Sequence, residues 1–402
     1  MAIIVQKFGG SSVANAERIF RVANTITKTY AAGNDVCVVL SAQGDTTDDL
    51  IAKAEEINPG ASRREMDMLL ACGEQMSIAL MAMAIEKMGF PVVSLCGWQV
   101  GMQTDSNHSS ARIKKVECDR VREELDKKRI VLVAGFQGIN RHGDVTTLGR
   151  GGSDTTAVAL AVALQADLCQ IYTDVDGVYT TDPRIVPEAR KLDEITYNEM
   201  LELASMGAQV LNNRSVELAK SYNVRLEVLS SISGNPGTIV KEVVKSVEKT
   251  YITGVAQDKK IARVALVGLE DVPGVAYKLF SLLAKEKINV DMILQSLGRE
   301  GTKDIVFTLA DKDVMACAKL LDENKDLLSY DHMDIDTSVS KVSIVGAGML
   351  GNAGVAAKMF EALYQQHINI HMISTSEIKL SVLIDKEDSE RAVRVIHNQF
   401  FQ

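Results

Sequence analysis

The sequence predicts an α/β protein: a mostly parallel sheet with helices on both faces, followed by two copies of a smaller βαββαβ module. Three observations carry this expectation. Short β-branched runs poor in charge alternate with helical patterns between residues 3 and 230, as they do in sheets buried on both sides. The texture changes after Gly234-Asn235-Pro236-Gly237, where a charged, helix-like stretch, "VKEVVKSVEK" (240–249), begins. Beyond it the chain repeats itself: 264–293 aligns with 342–373, and 307–321 with 382–396. Each copy reads strand, loop, helix, strand, strand, helix.

The strand-like runs are, in order, "IIVQKF" (3–8), "DVCVVLSA" (35–42), "FPVVSLCG" (90–97), "RIVLVAGF" (129–136), "DLCQIYTDV" (167–175) and "NVRLEVLS" (223–230). Helical periodicity marks 16–30 and 66–88 between them. The second of these is apolar nearly all round, so it is expected to be buried. In sheets of this kind ligands bind beyond the carboxyl ends of the strands, and the search for chemistry belongs there.

Composition narrows the classes. With 402 residues, two or three domains are expected, and 46% hydrophobic with 24% charged residues is ordinary for a globular chain. A formal net charge of −9 argues against an extended surface for nucleic acid or anionic membrane, so any phosphate site is local. "MAIIVQKFGG" is too short and uncharged for a signal peptide. No apolar stretch comes near the ~20 residues of a spanning helix, so no membrane partner is expected. Six cysteines (Cys37, Cys72, Cys96, Cys118, Cys169, Cys317) lie scattered without CxxC spacing and read as reduced, mostly buried thiols of a cytoplasmic protein.

The first strand runs into "KFGGSS" (7–12). Gly9 and Gly10 let backbone amides approach an anion, Lys7 adds a point charge, and a helix from about Asn15 adds its positive end. An ordinary glycine turn beside a solvated lysine would look the same. No Walker-type P-loop occurs. The second strand ends in "LSAQGDTTDDL" (40–50), with hydroxyls on Ser41, Thr46 and Thr47 and with Asp45 suited to cap a helix. Glu74 lies inside the apolar helix and needs a partner, either a structural salt bridge or a bound ammonium.

After a hairpin-like "INRHGDVTTLG" comes Arg150-Gly151-Gly152-Ser153-Asp154 ahead of an apolar helix. Ser153 and Asp154 suit its cap, and Arg150 offers a fork for a carboxylate. The next strand leads into "TDVDGVYTTDPR" (173–184). There Asp174 and Asp176 could recruit Mg²⁺ or hold a ribose or a lysine, while the Pro183-Arg184 loop could reach phosphates or a purine. Each signal alone is weak. Together they describe a phosphoryl-transfer site assembled without a P-loop.

At "KFGGSSV" (7–13), "LSAQGDTTDDL", "GE" (73–74), "GRGGSDTTA" (149–157) and "TDVDGVYTTDPR" the chain resembles the aspartate kinases, a branch of the amino-acid kinase family. Its C-terminal repeat resembles their tandem ACT domains, so the resemblance covers essentially the whole chain. It implies an αβα sandwich kinase domain at 1–240, a linker and strand at 241–262 that join the second ACT unit, a first ACT domain at 263–338 and a second at 339–402. It further implies transfer of the ATP γ-phosphate, with Mg²⁺, to the side-chain carboxylate of L-aspartate. Lys7, Gly9 and Gly10 would meet the phosphates with Ser41 nearby. Thr47, Glu74, Arg150 and Ser153 would hold aspartate, and Asp154 would organise the catalytic Lys7. Thr173, Asp174, Tyr179 and Arg184 are expected at the nucleotide. No resident metal site in the protein is expected. One departure stands out: where many relatives carry a lysine and a His-Pro pair, this chain has Gln209 and Asn212-Asn213.

The same resemblance implies feedback inhibition by lysine, threonine or both. The sensing loops map to 271–276, with Val275 and Ala276, and to 348–355. The strands after them carry Asn289, Asp291 and Gln295, and in the second copy Asn369 and Ile370. Pairing of ACT units across subunits implies a homodimer or an α₂β₂ assembly. Two motifs are set aside. "GAGMLG" (346–351) fits a dinucleotide fingerprint, but its counterpart "GLEDVPG" (268–274) in the first copy does not. His367 and His371 lack a third metal ligand. Two alternative functions remain: another amino-acid kinase, such as one acting on acetylglutamate or glutamate, and a catalytically inactive amino-acid sensor.

Overall fold

The computed structural model describes residues 1–205, 210–244, 252–296, 301–349, 352 and 354–402. Gly207, Ala208 and Gln209, the second half of the 240–249 stretch, Tyr251 and parts of the 346–355 loop lie outside the described residues. The chain forms two compact units. The first holds Met1–Tyr179, Lys191–Ser205 and the stretch 210–244; the second holds Thr180–Arg190 and the described residues from 252 onward.

The first unit opens with β1 (Ile3–Phe8), α1 (Ala16–Ala31), β2 (Asp35–Leu40), α2 (Thr46–Ile57) and the long α3 (Arg63–Lys87). Then come β3 (Val92–Leu95), β4 (Met102–Thr104), β5 (Ile113–Val116), α4 (Asp119–Asp126), β6 (Ile130–Ala134) and the hairpin β7 (Gln137–Ile139) and β8 (Val145–Thr147). It closes with α5 (Gly152–Leu164), β9 (Leu168–Thr173), β10 (Glu194–Thr196), α6 (Tyr197–Ser205), α7 (Asn213–Ser221), β11 (Leu226–Ser230) and β12 (Thr238–Lys241). Val240 and Lys241 are therefore strand where a helix-like stretch was expected.

Eight strands form one sheet in the order β10-β12-β11-β9-β1-β2-β6-β3. All its pairings are parallel except β11 with β12. Every residue of β6 and all but the first of β2 are buried, as layers on both faces require. From β1 the order runs to β2 on one side and to β9 on the other. The carboxyl end of β1 is thus a topological switch point, the place where open α/β sheets bind ligands. Lys7 lies on that strand.

Helix α1 is capped by Asn15, whose side chain accepts the Arg18 N–H at 3.0 Å. The other cap expectations fail. Asp45 precedes α2 without bonding through its side chain. Ser153 and Asp154 fall inside the first turn of α5, and the capping position belongs to Gly151 at φ 71°. The turn needs a left-handed residue there, which glycine supplies at no steric cost. Helix α3 is 25 residues long and, by length and composition, contains a window apolar enough to cross a membrane, contrary to the sequence expectation. It is a core helix, buried along one face, with Asp67 and Glu74 in that face. It is not buried all round, because Met68, Met76, Leu80 and Met83 are exposed.

The second unit contains β13 (Gly254–Asp258), β14 (Ile261–Glu270), α8 (Val275–Lys285), β15 (Val290–Gln295), β16 (Thr302–Ala310), α9 (Val314–Glu323), α10 (Lys325–Leu328) and β17 (His332–Asp336). The second repeat follows as β18 (Val339–Val345), α11 (Val355–Gln365), β19 (Met372–Thr375), β20 (Lys379–Asp385) and α12 (Ser389–Phe401). The sheets are ordered β15-β16-β14-β17 and β13-β18-β20-β19. The edge that β17 fills in the first is filled in the second by β13, which precedes the entire first repeat in the chain. The repeats agree down to the backbone: Gly274 and Gly354 open their helices at φ 98° and 102°, and Lys287 and His367 follow them at 59° and 54°. Strand alternation divides the work. Ala262, Val264 and Leu266 face the helices of the first repeat, while Ile261 joins Met292, Val339, Met372 and Leu383 between the two sheets.

Candidate active site

Glycines bring the strand exits of the first unit together. A Cβ on Gly10 would lie 2.5 Å from the Ala42 carbonyl, and the Gly44 N–H donates to the Gly10 carbonyl at 3.0 Å. A Cβ on Gly73 would meet that of Ala42 at 2.8 Å, and one on Gly135 would meet Ser153 Oγ at 2.6 Å. Only hydrogen fits at these contacts. The loops after β1, β2 and β6, the middle of α3 and the first turn of α5 are thereby packed closely together at the strand ends. Hydroxyls add the far side: Ser12 Oγ donates to Ser231 Oγ at 2.9 Å, and the Ser231 N–H donates to the Thr173 carbonyl at 3.1 Å.

Lys7 Nζ lies 2.7 Å from Asp154 Oδ1, with both side chains only 12% exposed. The pairing is Coulombic rather than a well-aligned hydrogen bond, since Asp154 Oδ1 receives no aligned donor among the described residues. Residues 147 apart in sequence thus place one cation at the central strand end and one anion at the mouth of α5.

Glu74 is 3% exposed. Its Oε1 accepts the Ala42 N–H at 3.1 Å, and its Oε2 is buried without a partner. Burial outweighs the amide bonds and pushes its pKa up to about 7. Neither the structural salt bridge nor any other cation satisfies it among the described residues. Ser41 stands at the β2 exit with its N–H on the Phe8 carbonyl at 3.1 Å, and Thr47 sits in the first turn of α2.

Arg150 is exposed, and its guanidinium makes no hydrogen bond or ion pair among the described residues. Its backbone is held by Asn212, whose Nδ2 donates to the Arg150 carbonyl at 3.2 Å. A Cβ on Gly151 would lie 2.2 Å from that same nitrogen. Asn212 also caps α7 through the Arg214 N–H at 3.0 Å, and Arg214 donates to the Leu148 and Ala111 carbonyls at 3.1 and 3.0 Å. In the sequence Asn212 stands out only as a departure, and no motif marks Arg214.

Asp67 was missed altogether. It is wholly buried and accepts hydrogen bonds from the Thr147 N–H and hydroxyl at 3.0 and 2.7 Å and from the Ser109 N–H at 2.9 Å. A signal existed, since Asp67 precedes Glu74 by seven residues on the same apolar helix and so shares its face.

The nucleotide candidates divide. Thr173 closes β9, with its Oγ1 accepting the Val175 N–H at 3.1 Å. Asp174 is exposed. Tyr179 donates its hydroxyl to Asp176 Oδ1 at 2.7 Å, which occupies that carboxylate. Arg184 belongs to the second unit, where Asp182 engages its guanidinium at 2.7 Å.

The effector candidates all fall in the second unit. Val275 and Ala276 start α8. Asn289, Asp291 and Gln295 are exposed, as is Asn369, while Ile370 packs on the second core. Asp291 also pairs with the nearly buried Lys341.

The amino acid kinase family model matches residues 2–230, and the ACT domain model matches 264–324 and 342–400. The aspartokinase of Corynebacterium glutamicum is 51% identical over 405 residues, covering all of this chain and 96% of its own. The chain belongs to the amino acid kinase family, in its aspartokinase branch. Within that branch, the aspartate kinase of Pseudomonas putida is 49% identical and is covered over 98% of its length. The solved structure of E. coli aspartokinase III in complex with aspartate and ADP superposes with a TM-score of 0.85 at 27% identity, both chains being covered in full. The same enzyme in complex with lysine and aspartate superposes at 0.79. The two matched regions are the two parts found here, a mostly parallel kinase sheet and small antiparallel ACT sheets.

Proposed function

We propose that the chain transfers the γ-phosphoryl group of ATP to the side-chain carboxylate of L-aspartate, giving 4-phospho-L-aspartate. The observation that carries this is the grouping at the strand ends of the Lys7–Asp154 pair and the half-satisfied Glu74 carboxylate with two closely packed glycine turns. A phosphoryl acceptor with an α-ammonium suits such a site; an acetylated amino acid, having no ammonium, would leave Glu74 stranded. Intact Lys7, Arg150 and Asp154 speak against an inactive sensor.

The nucleophile is a carboxylate with a pKa of ~3.9, ionised at neutral pH, so no general base is needed. The work left is to gather and offset negative charge in line. Lys7 and the amides of Gly9 and Gly10 take the phosphates, with Ser41 beside them, and Asp154 holds Lys7 in place. Arg150 takes the α-carboxylate, Glu74 the α-ammonium, and Thr47 and Ser153 complete the acceptor site. Losing the partner of the buried Glu74 in this way costs ~2–5 kcal/mol of binding. Thr173, Asp174, Tyr179 and Arg184 serve the nucleotide. Among the described residues no cluster of three metal-binding side chains occurs. We therefore assign Mg²⁺ to the nucleotide's phosphates, with Asp174 the free carboxylate nearest in sequence to the nucleotide strand, and it would supply charge neutralisation there.

We infer domain boundaries at 1–240, 263–338 and 339–402, with 241–262 as linker and added strand. The remaining parts of this reading are a cytoplasmic place on the route to lysine, threonine and methionine, inhibition by lysine or threonine through Val275, Ala276, Asn289, Asp291, Gln295, Asn369 and Ile370, and a homodimer or α₂β₂ assembly. The test is ADP release with L-aspartate against N-acetyl-L-glutamate and L-glutamate, repeated with lysine and threonine singly and together. Release that does not depend on L-aspartate refutes the reaction; indifference to both effectors refutes the regulation.

A further inference from the structure

We propose that Asp67 is a positioning residue for the phosphoryl acceptor, setting the Arg150 turn from inside the fold. The inference deepens the reading of Arg150 as the aspartate-binding arginine and rests on it.

Asp67 sits in α3 with no exposed surface, yet it is not spent on packing. Both its oxygens accept the Ser109 N–H, at 3.0 and 2.9 Å. Oδ2 also takes the Thr147 N–H at 3.0 Å and faces His108 Nδ1 at 3.1 Å. Oδ1 takes the Thr147 hydroxyl at 2.7 Å. These partners bracket the turn. Thr147 ends β8, three residues before Arg150, and its carbonyl accepts the Ala111 N–H at 2.9 Å. Ser109 is held at φ 68°, a left-handed conformation that is costly for a residue other than glycine and that persists only when its surroundings enforce it. Gly149, at φ 79°, lies so close to Ser109 that a Cβ would sit 3.1 Å from the Ser109 carbonyl. The chain of contacts therefore runs from Asp67 to a strained Ser109, from Ser109 to the pivot Gly149, and from Gly149 to Arg150.

The same helix carries Glu74 two turns further on, about 10.5 Å along its axis. One rigid element would then fix the group for the ammonium directly and the group for the α-carboxylate through Asp67. Pre-organisation of this kind acts on the acceptor and not on the nucleotide, because Lys7, Gly9 and Gly10 make no bond to Asp67.

Steady-state kinetics on the full chain, with aspartate and ATP varied in turn, separate the possibilities. Asp67→Asn keeps the shape but turns an acceptor into a donor facing two N–H groups. It is expected to raise the aspartate KM about ten- to hundredfold while the ATP KM stays within about twofold. Thr147→Val removes one bond and preserves the strand; it should shift the aspartate KM in the same direction by less, and it decides the matter should Asp67→Asn not fold. Adding Ser109→Gly to Asp67→Asn should recover part of the loss, since glycine takes the left-handed conformation without help. A carboxylate with a merely structural role would lower Tm and move both KM values together or neither, and either result overturns the inference. Arg150→Ala is the reference. If it leaves the aspartate KM unchanged, the acceptor reading of the turn fails and takes the inference with it. If it raises that KM and neither Asp67→Asn nor Thr147→Val does, the inference alone falls.

Discussion

Glu74 shows how a single buried carboxyl group can link acceptor binding to pH. Its folded pKa of about 7 lies above the ordinary glutamate value. Between roughly pH 4.5 and 7 the folded chain keeps a proton that the unfolded chain has lost, so stability falls as pH rises across that window. The shift corresponds to roughly 3 kcal/mol. Glu74→Gln keeps the acceptor for the Ala42 N–H and removes the charge. The unliganded variant should therefore melt several degrees above the parent at pH 8 and level with it near pH 4.5, while losing stabilisation by L-aspartate. Thermal melts with and without aspartate at both pH values check this, and equal destabilisation at both would contradict it. Glu74 was legible because a carboxylate in an apolar run announces itself. Asp67 stands in the same run but takes its meaning from residues 109 and 147, which no local pattern connects to it.

Elements place these groups, and the closest contacts carry the placement. Gly135 follows β6, and a Cβ there would lie 2.6 Å from Ser153 Oγ and 2.9 Å from Val39 Cγ1. Gly135→Ala should cost about 1–3 kcal/mol and push the first turn of α5, raising the aspartate KM. Gly143→Ala is the contrast: its φ of 81° costs backbone energy, but no atom lies within 4 Å, so stability should fall by about 1 kcal/mol with kinetics unmoved. Equal kinetic effects would mean that the close contact is not what seats α5. The six strands, the glycine turns and the internal repeat could be read in advance because each is a local or periodic signal. The start of α5 could not, since its cap is set by the turn's need for positive φ at Gly151 and by Asn212 from a distant helix. Between the repeats, Lys341 is nearly buried while its partner Asp291 is partly exposed. Asp291→Ala strands a buried ammonium and should destabilise the second unit by about 2 kcal/mol, whereas Lys341→Met should be close to neutral. Differential scanning calorimetry distinguishes the two.

At the scale of the whole chain, the segment Thr180–Arg190 belongs with the C-terminal repeats rather than with the strand it follows. Val186 and Ile185 belong to the core of the second repeat. The Val255 N–H donates to the Thr180 carbonyl at 2.7 Å, Thr180 Oγ1 meets His397 Nε2 at 2.9 Å, and Arg394 Nε donates to the Ile185 carbonyl at 3.0 Å. Burial, aided by Arg190 and opposed by Glu188, holds the His397 pKa below its ordinary value. Tyr179, the residue next before this segment, is among those proposed for the nucleotide. Cutting the chain after residue 244 would therefore remove two things at once: the loops proposed to sense the effectors, and the groups that hold eleven residues adjoining the stretch proposed for the nucleotide. Such a fragment is expected to lose its response to lysine and threonine and also to bind ATP more weakly. Asn369→Ala in the full chain should blunt the response and leave the ATP KM alone. Inhibition curves and ATP titrations on both proteins test the separation. A fragment that keeps full ATP affinity would show that the nucleotide stretch holds its shape without the second unit.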